Sequence, residues 1–163
     1  MYYYLLYQLD NTIDYLIWFS NNEDGVVLQA DRSVPCFSST LHAHTYATTH
    51  QLAIQEETPV LHDLDIIARW LQRTLSADVG CKEFLNAWNL FDDVAVSVGA
   101  TFRADNTETH TVYEKLFWGS NIPILTPPGE HYTPVWSDDE LLLLRAVLAS
   151  GLTLFRSVVT LVE

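Results

Sequence analysis

The chain has 163 residues, 21 Asp and Glu against 8 Lys and Arg, a formal net charge of −13, and a hydrophobic share of 48%. That apolar share excludes whole-chain disorder, and the acidity excludes binding to nucleic acid or to an anionic membrane surface, both of which need clustered cations. One domain spanning 1–163 is expected at this length.

Residues 2–9 and 13–19 are rich in Tyr, Leu, Ile, Trp and Phe and are separated by Asp10-Asn11-Thr12, which predicts two strands and a turn. Asn21–Gly25 reads as a loop with an Asp24-Gly25 hairpin signal, followed by a third strand over 26–30. Residues 31–43 read as irregular, and the Thr-rich stretch 46–55 as a fourth strand. The N-terminal third is thus expected to be an antiparallel meander.

The period then changes. Val60, Leu61, Leu64, Ile67, Ala68, Leu71 and Leu75 follow helical spacing, with Pro59 at the first helical position and an Asp65–Arg69 pair in the favourable order. After Gly80 the stripe Phe84, Trp88, Phe91, Ala95, Val98, Phe102 predicts a helix to about 103, against a competing alternation of Val94, Val96 and Val98. A short helix is expected over 109–118, with Gly119 at its left-handed end, then a Pro-rich loop over 119–134. Ser137-Asp-Asp-Glu140 fits a capping box that opens a final helix with a core stripe of Leu141, Leu144, Leu148, Leu152, Phe155 and Val159. The sum is an α+β fold, an antiparallel N-terminal sheet packed against C-terminal helices.

Leu141–Val162 is the only membrane candidate. It carries Arg145 and Arg156 on one face with Asp138 and Glu163, the pattern of a buried core helix in a soluble protein. The start, Met1-Tyr-Tyr-Tyr-Leu-Leu-Tyr, has no basic region or cleavage site, so a cytoplasmic location is expected, with Cys36 and Cys81 as reduced thiols.

The search for chemistry finds little. His42 and His44, read on a strand, would point to one face, and with His50 they form the best metal-like cluster, though without known zinc spacing. The paired acids Glu56-Glu57, Asp92-Asp93 and Asp138-Asp139 point apart as neighbours and make no catalytic dyad. No phosphate loop or nucleophile elbow is present. The reading is therefore a binder and not an enzyme, with no metal or cofactor.

Tyr113–Pro123, the Tyr132-x-Pro134-x-Trp136 stretch and the final helix resemble bacterial immunity proteins of polymorphic-toxin and contact-dependent growth inhibition systems. The resemblance covers roughly the last third of the chain. It implies a small cytoplasmic protein that neutralises the C-terminal domain of one cognate toxin, often a nuclease, by tight binding. Charge agrees independently, since a nuclease cleft is cationic and an acidic plug both fits it and speeds encounter. The expected contacts are exposed loop acids, Glu23, Asp24, Asp31, Glu56, Glu57, Asp105 and Glu108, with Asp92 and Asp93 as second choices. The rival readings are a small metal-binding protein or enzyme using His42, His44 and His50, an acidic nucleic-acid mimic, and an acidic adaptor subunit.

Overall fold

In the computed structural model, which describes residues 1–163, strands β1 (Tyr2–Leu9) and β2 (Thr12–Ser20) pair antiparallel over their whole length, from Tyr2↔Phe19 to Leu9↔Thr12. The two-residue turn puts Asp10 at φ 54° and Asn11 at φ 60°, the left-handed pair that matches strand twist and that short polar side chains tolerate. The carboxylate of Asp65 holds this turn from outside, accepting hydrogen bonds from the Asp10 and Asn11 amides at 2.7 and 2.9 Å and from Gln8 Nε2 at 3.1 Å. Asp65 thus serves the hairpin by hydrogen bonds, while the expected partner Arg69, one turn on, acts on it through charge alone.

Strand β3 is Asp24–Val26, antiparallel to β2, so Asp24-Gly25 lies in the strand and the turn is Asn21–Glu23. This corrects the expected strand at 26–30. Strand β4 (Val34–Cys36) follows inside the stretch read as irregular. The expected fourth strand at 46–55 is instead helix α1 (Thr40–Thr49), started by Ser39, whose hydroxyl accepts from the His42 amide at 3.2 Å. Its Thr and Tyr content favours strand locally, but Ala43 and Ala47, one turn apart, fit against Ile17 and Phe37, and packing wins.

The helical stripe expected from Val60 begins later. Strand β5 (Leu61–Asp63) runs parallel to β1, and only then does helix α2 (Leu64–Gln72) start, capped by Asp63 with Pro59 outside it. Helix α3 is Cys81–Val98, ended by Gly99 at φ 74°. Phe102 lies beyond that end yet still packs on Phe91, which explains why the stripe seemed to run on. Helix α4 is Thr107–Gly119, and its left-handed exit is Asn121 at φ 46°, not Gly119. Gly119 is needed for close approach: a Cβ there would sit 2.6 Å from Cys81 Sγ and 2.7 Å from Pro134 Cγ. Helix α5 (Asp138–Val158) has the full Ser137–Glu140 capping box, and β6 (Val159–Leu161) runs on from it to pair in parallel with β4.

The fold is α+β, with a main sheet in the order β3-β2-β1-β5. Alternation along β2 sends Leu16 to one face and Ile17 to the other. The Leu16 face meets the main core with α2, α3, α4 and α5; the Ile17 face is covered by α1. Helix α5, the one helix long and apolar enough to cross a membrane, buries Leu144, Leu148 and Phe155 in the main core, and β6 interrupts the apolar run beyond it. Arg145 is used inside the fold, donating to the carbonyls of Trp70, Leu71 and Arg73 at the end of α2.

Candidate functional site

The helix-facing side of the sheet is not fully covered. Where β1, β2 and β3 meet α3 and α4, a groove of about 740 Å³ remains open. Its aromatic walls are Tyr3, Trp18 and Tyr113, and its acids are Asp24, Glu57, Asp92 and Asp93. No lysine or arginine lines it.

Local structure builds this site in a definite way. Gly25 lets β3 lie against α3, since a Cβ there would meet Phe19 Cζ and Ser97 Oγ at 2.6 Å each. Ser97 Oγ accepts from the Val26 amide at 2.9 Å and donates to the Asp93 carbonyl at 2.8 Å, so strand and helix are clamped together. That clamp brings Asp24 up to Asp93. Trp18, opposite Tyr3 across the hairpin with ring centroids 5.6 Å apart, donates its indole N–H to Asp93 Oδ2 at 2.8 Å.

Asp93 is the electrostatic centre. Its carboxyl is pushed up to about 6, chiefly by burial and further by the neighbouring charges of Asp24 and Asp92, against the pull of the Trp18 hydrogen bond. Burial also lowers the pKa of His62 in the same groove, so its imidazole is neutral at pH 7 and offers no counter-charge. Asp92 alone has a cation, accepting both Arg103 Nε at 2.9 Å and Arg103 Nη2 at 3.1 Å. A half-buried carboxylate beside aromatic faces is chemically able to accept hydrogen bonds from a cation.

Of the expected contact residues, Asp24 and Glu57 line this groove, with Glu23 and Glu56 their exposed neighbours in sequence. The other three lie elsewhere. Asp31 accepts from the Ser33 amide and hydroxyl at 2.9 and 2.6 Å in the β3–β4 connection; Asp105 pairs with His110; Glu108 is in the first turn of α4. Asp92 and Asp93, ranked second on sequence, are central to the groove. Tyr3 and Trp18 are half-buried at the groove wall, where each both packs on the core and faces the groove.

The histidine alternative rested on a strand that does not exist. On α1, residues two apart are separated by about 200° around the axis, so His42 and His44 face apart. His50 stacks on Tyr46 at 3.9 Å. No group of three or more His, Cys, Asp or Glu is placed to hold a metal ion. Cys36 and Cys81 are free and buried. Lys115 ties α4 to the loop and to α5, donating to Glu140 Oε2 and to the Val135 carbonyl at 2.7 Å each.

No protein-family model matches the chain, and no curated protein matches it. Among solved structures, the crystal structure of the SatS C-terminal domain in complex with bromine is similar, with a TM-score of 0.51 and 9% identity over 99% of this chain and 94% of that one. At that identity the likeness is one of fold.

Proposed function

We propose that the protein is a non-enzymatic cytoplasmic inhibitor of the immunity type, which binds a basic partner, the C-terminal domain of a cognate toxin, through the groove between β1–β3 and α3–α4. The observation that carries this reading is the groove's charge balance: Asp24, Asp92 and Asp93 gathered against Trp18 and Tyr113, with no Lys or Arg in the lining. An arginine or lysine of the partner entering there would meet charge-assisted acceptors and aromatic faces together. The acidity of the whole chain adds steering of the encounter.

The test is co-expression with the C-terminal domain encoded by the neighbouring upstream reading frame. The expected result is a salt-sensitive complex that rescues growth, weakened at least tenfold by Asp92→Lys or Asp93→Lys and unchanged by Asp31→Lys. A complex indifferent to all three substitutions would remove the groove from the interface. Absence of toxicity and of any complex would overturn the inhibitor reading.

A further inference from the structure

The groove does not end at α3. Asp92 and Tyr113 also line a second hollow of about 570 Å³ between α3 and α4, walled by Trp88, Phe117 and Trp118. Trp118 in turn lines a third hollow, about 410 Å³, against the Pro-rich loop with Leu125, Glu130 and Tyr132. Each concavity shares a ridge residue with the next, Tyr113 and Asp92 between the first and second and Trp118 between the second and third, so the three form one track that crosses α4.

We propose that this track receives an extended, basic polypeptide segment of the partner, with arginine or lysine side chains alternating with apolar or aromatic ones. The proposal rests on the binding reading above and extends it to the form of the ligand. Successive hollows separated by ridges suit the alternate side chains of an extended chain.

Charge sets the sign of the segment. Acids line every hollow: Asp24 and Asp93 in the first, Glu114 in the second, Glu130 in the third. Arg103 is the one Lys or Arg in the three linings, and Asp92 holds it in a two-pronged pair.

The middle hollow adds an independent observation. Trp88 and Thr109, each 1% exposed, both line it, and Trp88 Nε1 and Thr109 Oγ1 have no hydrogen-bond partner. Buried polar groups of this kind are nearly always partnered in folded proteins. An indole N–H can only donate, and since this one is closed off from solvent, a carbonyl of a bound extended chain would receive it only as the floor of the hollow shifts on binding.

The far end is preformed. Asn121 donates from its carboxamide to the Tyr132 carbonyl at 2.9 Å and accepts from the Tyr132 amide at 2.8 Å, which holds the Pro-rich loop open beside Trp118. Trp118 itself is 52% exposed, with only one side of its ring taken by an edge-on contact with Phe117 at 5.2 Å, which leaves an aromatic anchor open to a partner.

The experiment measures fluorescence anisotropy of a labelled peptide of about twelve residues, arginine alternating with leucine or phenylalanine, against the full chain; a control peptide carries serine at every apolar position. Saturable binding is expected, at least tenfold tighter than the control and weaker in high salt. Trp118→Ala at the far ridge and Asp93→Asn in the groove should each weaken it tenfold or more, and Trp88→Phe by several-fold. If Trp118→Ala and Trp88→Phe leave binding unchanged while Asp93→Asn weakens it, the contact ends at the groove; the track is then wrong and the groove reading survives. If the apolar peptide binds no better than its serine control and Asp93→Asn changes nothing, both readings fall.

Discussion

Asp93 is a carboxylate held where its charged form is disfavoured. Its folded pKa of about 6 lies above the usual carboxylate value, so between about pH 4 and 6 the folded state holds a proton that the unfolded chain releases. Stability from this group is therefore present at low pH and lost as pH rises through 6. Asp14, also raised by burial, acts in the same sense. Asp65 and Glu140 act in the opposite sense: burial pushes both upward, but hydrogen bonds outweigh it and leave both lowered, so their stabilisation is lost in more acidic solution. Asp93→Asn keeps an acceptor for the Trp18 indole and removes the charge. It is expected to stabilise the protein at pH 7.5 by on the order of 1 kcal/mol, after allowance for solvent screening of a half-buried group. That is a gain of about 3 °C in Tm, shrinking toward pH 4.5, and thermal scans of both proteins across that range check it. A wild-type Tm that rises steadily from pH 5 to 7.5 would contradict the assignment.

Among the elements, the contact of α3 with α5 sets how the groove is held, because α3 carries Asp92 and Asp93 while α5 supports it from behind. Gly151 makes that contact possible: a Cβ there would lie 2.7 Å from Cγ of the Phe91 ring, which is fully buried. Gly151→Ala should gain about 1 kcal/mol in helix propensity and lose more to overpacking, typically about 1–3 kcal/mol. Net destabilisation is expected in denaturant titration, with recovery when Phe91→Leu makes room. An alanine variant more stable than the wild type would mean that α5 shifts freely on α3. The elements also show where local signals were enough. Ser137 and Glu140 mark the start of α5 without any tertiary help, and Asp10-Asn11 marks the hairpin, because caps and tight turns are decided within four residues. At α1 the Thr-rich segment 46–49 favoured strand locally, and only contact with Ile17 and Phe37 made it helix. Strands β4, β5 and β6 have three residues each, too short for any period to show.

Over the whole molecule, three of the eight Lys and Arg residues, Arg103, Lys115 and Arg156, are bound to acids of the fold itself. Most of the 21 acids are left without a cationic partner, and their mutual repulsion opposes the compact state. Raising NaCl from about 20 to about 300 mM shortens the screening length from roughly 20 to roughly 6 Å. Tm is expected to rise over that range while association with a basic partner slows. A fall in Tm would show that the internal ion pairs outweigh the repulsion.

The sequence by itself determined the α+β class, the first hairpin, the long helices after Gly80 and Ser137, and the acidity of the surface. These follow from composition, period and capping, which are local properties of the chain. Tertiary structure decided the rest. Asp24 and Asp93 are distant in sequence and meet only because Gly25 lets β3 lie on α3. The elevated Asp93 carboxyl comes from its burial between strand and helix, against the pull of the Trp18 hydrogen bond from the hairpin. Parallel pairing of β5 with β1 and of β6 with β4 joins segments distant along the chain, and no local pattern encodes such pairing.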